Sequence, residues 1–115
     1  MSEWDVHSDP FREGIRLFNQ AEFYDAHEVL EDVWRDSSGP EKKFLQALIQ
    51  LAVALHHHSK GNLRGARSLL ARSARNLKAY PAEFHGIAVG RVLHEISEWE
   101  SALHGSKPLP PHPKL

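Results

Sequence analysis

No cysteine occurs anywhere in the 115-residue sequence. That excludes disulfides, thiolate metal sites and cysteine nucleophiles together, and it suits a reducing compartment. Strand signals are equally scarce, with no long β-branched alternation and no Asn-Gly or Asp-Gly hairpin turn. Charge of one sign is missing too: the net charge is −1 with histidine neutral, so nothing pulls the chain as a polyelectrolyte toward nucleic acid or an anionic membrane. No stretch reaches the roughly 18 apolar residues of a membrane span. The longest candidate, residues 44–55, is interrupted by Gln46 and Gln50. The opening segment MSEWDVHSDP holds acids and no apolar run, so no secretory signal is expected. A cytoplasmic domain is the resulting expectation, and 41% hydrophobic residues suffice for one core.

Histidine is what the chain has in excess: nine, at positions 7, 27, 56, 57, 58, 85, 94, 104 and 112. They are scattered, so they are no purification tag. His7, His104 and His112 are expected in solvent. With no cysteine to share an ion, any metal site must be of the His/carboxylate type.

Helix punctuation is clear. Asp9-Pro10 opens a short helix to about residue 19, and Gln20-Ala21 connects it to a second over residues 22–36. Ser37-Ser38-Gly39-Pro40 ends that helix and starts the next. Residues 41–59 are apolar nearly all round, the mark of a buried central helix. Gly61-Asn62 breaks the chain again, a fourth helix runs over 62–80 to Pro81, and a last one covers 87–103. The expected fold is all-α: a compact five-helix antiparallel bundle over residues 9–104, with an extension at 1–8 and a proline-rich tail at 105–115 that is flexible or laid on the surface. Residues 22–40 echo residues 62–81 at an offset of 40, slipping by one at the proline. The segment Gly61-Asn62-Leu63-Arg64-Gly65-Ala66 with Ala74, Leu77 and Pro81 resembles the second helix of a tetratricopeptide unit.

The second helix carries the most informative pattern. At 3.6 residues per turn, Phe23, Ala26, Leu30, Val33 and Trp34 form one apolar stripe. His27 falls inside it, and Glu31 stands at its edge. An unpaired carboxylate there would be costly, so the two should be at least half buried and within reach of each other or of a shared ligand. His27-Glu28-x-x-Glu31 has the frame of the zincin helix, with Glu replacing the second histidine. In that chemistry His27 and Glu31 would hold a divalent metal and Glu28 would be the general base. The structural alternative is a core histidine bonded to Glu31 or to a backbone carbonyl.

His56, His57 and His58 point about 100° apart, so they cannot chelate one ion together. His56 and His58 suit the C-terminal end of the central helix, where positive charge is favourable. His57 shares a face with Gln46 and Gln50. If that polar stripe faces His27 and Glu31, His57 is a third ligand and the amides orient it. His94-Glu95-x-x-Glu98 looks like a second copy, but Val92, Ile96, Trp99 and Leu103 form the stripe there and His94 falls nearly opposite. Residues 22–36 carry six acids and one arginine, whereas 62–78 carry five basic residues and no acid. Arg64, Arg67, Arg72, Arg75 and Lys78 make a solvated face, an anion site or a dock for an acidic partner. No aromatics interleave, so single-stranded nucleic acid has no stacking platform. Trp34 and Trp99 read as core, and Trp4 lies outside any periodic pattern.

Taken together, Phe18-Asn19, the run from Phe23 to Trp34, Phe44-Leu45-Gln46 with Leu48 to Ala52, and Gly61-Asn62 with Gly65-Ala66 resemble a small bacterial and archaeal helical family, domain of unknown function 309. The resemblance covers about residues 12–80. It implies a compact all-α fold and carries the label of a predicted metal-dependent hydrolase, a label drawn from the His/Glu pattern. It points to His27, Glu28, Glu31, Trp34, Gln50 and Asn62. Two functions follow as expectations. One is a metal-dependent hydrolase with Glu28 as base, His27, Glu31 and His57 as ligands of a divalent metal, and Tyr24, Trp34, Gln46, Gln50 and Asn62 around the pocket. The other is a non-catalytic tetratricopeptide-like interaction module in which the same residues form a buried hydrogen-bond network. A small molecule or a protein is the expected partner, with homo-oligomerisation open.

Overall fold

Helix α3 (Gly39–Ser59) is the centre of a row packed in chain order: α1 (Asp9–Asn19) rests on α2 (Phe23–Arg35), α2 and α4 (Leu63–Leu77) flank α3, and α5 (Val89–Gly105) rests on α4. The computed structural model describes residues 9–105 and 107–115, so the expected extension at 1–8, with Trp4 and His7, lies outside the described residues. The all-α expectation holds. Among the described residues there is no strand ladder, only an isolated bridge between Phe84 and Ile87. None of the described helices is long and apolar enough to cross a membrane.

The apolar circumference of α3 explains its place. Phe44, Leu45, Ala47, Leu48, Leu51, Ala52, Ala54 and Leu55 are all buried. Each buried leucine there contributes about 1.5–3 kcal/mol relative to exposure. The face of α3 toward α4 is tight because its crossing residues are small. Ser73, fully buried, meets Ala47 there, and its hydroxyl donates to the Ala47 carbonyl at 2.8 Å, so no donor is orphaned. On the other side α1 approaches α2 so closely that a Cβ on Gly14 would lie 2.6 Å from Leu30 Cδ2.

The joints are made by helix-end turns. Past α3, Gly61 takes a left-handed φ of 79° while its N–H bonds to the His58 carbonyl and that of Asn62 to the His57 carbonyl. This pair of bonds is the Schellman motif. Asn62 then caps α4, its side chain accepting from the Gly65 N–H at 2.9 Å. The α1–α2 joint has the same two bonds, Ala21 N–H to the Phe18 carbonyl and Glu22 N–H to the Leu17 carbonyl, with Ala21 at φ 63°.

Several boundaries differ from expectation, and α5 runs Val89–Gly105 rather than over 87–103. Helix α3 starts at Gly39 because Pro40 is tolerated in a first turn, where its missing N–H has no helical partner to lose. Helix α4 stops at Leu77 rather than residue 80, since the ring of Pro81 disfavours helical geometry at Tyr80.

Residues 107–115, expected to be flexible or laid on the surface, form a strap across α5 to the α1–α2 joint. Trp99 Nε1 donates to the Pro111 carbonyl at 2.9 Å, and the His112 ring stacks on the indole at 5.4 Å. Lys114 Nζ donates to the Asn19 carbonyl at 2.7 Å, and the Leu115 N–H to Asn19 Oδ1 at 2.8 Å. A buried indole N–H needs an acceptor, and a segment rich in proline supplies carbonyls that no helix has claimed.

Candidate functional site

Helix α2 buries Phe23, Ala26, Leu30 and Val33, which sets His27 and Glu31 at the rim of the stripe. The His27 side chain is 20% exposed and that of Glu31 40%, so both are more than half covered. The geometry of the pair is defined from the backbone outward. The Nδ1–H of His27 donates to the Tyr24 carbonyl one turn back. That makes Nδ1 a donor and turns Nε2 toward Glu31 Oε2 at 3.9 Å, too far for a hydrogen bond. The other Glu31 oxygen lies 3.7 Å from Arg35, so the carboxylate is shared between two partners on its own helix. Glu28, the expected general base, is exposed.

What surrounds the pair is aromatic. The Tyr24 ring, half exposed, stands edge-on to His27 at 4.9 Å and tilted to His56 at 5.3 Å. His56 is therefore the histidine of α3 that faces α2. His57, expected as the third ligand, turns to α4 instead, where its Nδ1 lies 3.4 Å from Asn62 Nδ2. The amides on its face follow it. Gln50 Oε1 accepts from Asn76 Nδ2 at 2.9 Å, and Gln46 lines a cleft beside Asn76. The polar stripe on α3 exists as expected, but it faces α4. Among the described residues no three His, Asp or Glu side chains come together around a point that could hold a metal ion. His27 and Glu31 alone supply two donors, one short of the three protein ligands of a catalytic zinc site.

Trp34 sits at the edge of the core with its Nε1 buried and, among the described residues, without an acceptor, and the Lys42 ammonium lies 4.3 Å over its ring. His94 is solvated, as expected, and pairs loosely with Glu98 at 3.7 Å.

Two groupings have no local sequence signature. One is the cluster on the strap: His58 edge-on to Trp99 at 5.0 Å, and His112 between Trp99 and Phe23. Partial desolvation against Trp99 and Phe23, then the neighbouring Lys114 and His58, lowers the pKa of His112, a residue that otherwise stays exposed as expected. The other is the cleft of about 320 Å³ between α3 and the end of α4, lined by Lys43, Gln46, Arg75, Asn76, Ala79 and Tyr80. Tyr80 donates its hydroxyl to the Pro40 carbonyl at 2.7 Å, and burial, with the charge of Glu41, raises its pKa. The spacing of Arg75 and Asn76 along α4 marks both as polar, but which α3 residues they meet depends on the crossing.

A family model described as domain of unknown function (DUF309) matches residues 11–69, from α1 into α4. The chain is similar to the uncharacterized protein YpuF of Bacillus subtilis (strain 168), with 40% identity over 75 residues that make up 63% of this chain and 43% of that protein. It is also similar to an uncharacterized protein of Aquifex aeolicus (strain VF5), with 32% identity over 88 residues, 76% of this chain and 26% of that protein. The chain thus spans less than half the length of either relative.

Proposed function

The chain belongs to the DUF309 family, and from that premise we propose that it is a short solenoid-like binding module of the cytoplasm, with a protein as its partner, and not a metallohydrolase complete in itself. The observation that carries this reading is the packing order. The substantial helix contacts are α1 with α2, α2 with α3, α3 with α4 and α4 with α5, each helix resting on its chain neighbours in a body of 45 × 26 × 19 Å. That is the contact pattern of helical-repeat proteins, whose business is to display faces to partners. Polar side chains that would have built a reactive centre have structural partners: His27 bonds to the Tyr24 carbonyl within α2, Asn62 caps α4 at the Gly65 N–H, and Gln50 joins α3 to α4 through Asn76. The absence of cysteine suits a reducing cytoplasm.

A second reading rests on one observation. With Nδ1–H spent on a carbonyl, His27 Nε2 and Glu31 Oε2 present two lone-pair donors 3.9 Å apart. A divalent cation gripped by this pair would draw its remaining ligands from a second copy of the chain. Metal content and melting temperature, measured together on wild type and His27→Ala, separate the two. On the module reading neither protein retains metal, and the variant loses about 1 kcal/mol or less, as for a partly exposed pair. Its Tm then falls by a few degrees. Stoichiometric metal in wild type that is lost in the variant would overturn the module reading.

A further inference from the structure

We infer that the cleft between α3 and the end of α4 is a binding site for an oxyanion, a carboxylate or phosphate group carried by the partner of this module. The inference rests on the binding-module reading and adds the chemistry of what is bound. Lys43 and Gln46 line the cleft from α3, Arg75 and Asn76 from α4, and Tyr80 from the turn beyond; no acid lines it. Its volume of about 320 Å³ stands at the lower end of ligand pockets, enough for one such group and the few atoms that carry it.

The cations of this cleft are not consumed internally. Arg67, on the same helix, donates to the Leu103 carbonyl at 3.0 Å, and so belongs to the fold. Lys43 and Arg75 have no ion-pair partner among the described residues. Glu41, the acid nearest Tyr80 on α3, is engaged with His85 at 3.7 Å. No acid occurs from residue 62 to residue 80, and the charge of Glu41 that reaches Tyr80 is outnumbered by the two cations lining the cleft, although the whole chain is nearly neutral.

The neutral groups are placed to finish the job. A guanidinium fork binds two oxygens of one group, and an ammonium adds a point charge without demanding a direction. The bond from Asn76 to Gln50 holds that amide in one orientation beside the cleft. Gln46 is exposed at the mouth as a further donor. Solvated cations elsewhere on α4, such as Arg64, lie outside this cleft.

Inorganic phosphate and a short oligoglutamate peptide are titrated separately into the isotope-labelled full chain, at low and at raised salt, and backbone amide signals are followed. The expected result is saturable movement of the signals of residues 43–46 and 75–80 with at least one probe. Arg75→Gln should weaken it about ten-fold, the loss of one charge-assisted pair, and Lys43→Gln should weaken it as well. Arg64→Gln should leave the affinity within about two-fold, as a distant surface charge does. Saturation by phosphate alone assigns a phosphate group, and by oligoglutamate alone a carboxylate. No saturable movement with either probe, or equal weakening by Arg64→Gln, overturns the proposal and leaves only a diffuse counterion cloud. His27→Ala titrated in parallel should behave as wild type. Metal at His27 with an intact phosphate response would overturn the module reading alone, and a silent cleft in a metal-free chain would overturn the oxyanion site alone.

Discussion

His112 couples a surface segment to the core through one ring, lying flat on Trp99 and edge-on to Phe23. Its lowered pKa means that the folded protein prefers the neutral imidazole. The stability this preference gives is fully present above the ordinary histidine value of 6.5 and is lost as pH falls through the folded value. Acidification from about pH 8 toward pH 5 should therefore loosen the strap, seen as movement of the Trp99 indole N–H signal away from its Pro111-bonded position. His112→Gln should flatten that response, and a response that survives the substitution would assign it to another group such as His58. The histidines also show which part of the site was legible. The helical wheel correctly places Gln46, Gln50 and His57 on one face, but a wheel gives angles around an axis and not the identity of the neighbour. Which histidine of α3 meets α2 is decided by how the helices cross: α4 lies on the His57 face, and His56 meets Tyr24 of α2.

Elements repeat where residues do not. The echo at an offset of 40 pairs Ala21 with Gly61, and both end a helix with the same two backbone bonds in the left-handed region. Leu30 and Leu70, also one offset apart, are both fully buried. The likeness breaks at the first helical residue: Phe23 is 5% exposed beneath the strap, whereas Leu63 is 44% exposed. Alanine at a left-handed position has a steric cost of roughly 1–2 kcal/mol that glycine avoids. Ala21→Gly should therefore stabilise the protein by about 0.5–1 kcal/mol after the extra chain entropy of glycine is subtracted, read as a rise in the denaturation midpoint with an unchanged slope. A fall in the midpoint would mean that the α1–α2 joint is less strained than its φ implies. Helix existence was readable from Pro40, Gly61, Asn62 and Pro81, which act locally. The turn at Ala21 was legible only as a short connection, because nothing in an alanine announces a left-handed backbone.

On the scale of the whole molecule, the strap was the feature least open to sequence reading. Composition suggests a tail with nothing to bury, whereas Pro113 is buried and Leu115 packs against the core; composition cannot say that α5 offers an indole N–H and α1 a terminal carbonyl within reach. Removing residues 107–115 should leave the helix content almost unchanged and lower the cooperativity of unfolding. Hydrogen exchange should speed up in α1 and α5 more than in α3, and uniform acceleration in all five helices would show instead that the strap only adds global stability. The reason for expecting local loss lies in the packing order. A row of helices in which each leans mainly on the next has two margins, and such arrays fray from their margins inward. Lys114 and Leu115 carry the chain back to Asn19 and so join one margin to the other. Closing so long a loop costs little more entropy than closing a short one, because the cost grows only with the logarithm of length. A few hydrogen bonds and one stacked ring can then act as a clasp, and a necklace that is fastened has no end from which to unthread.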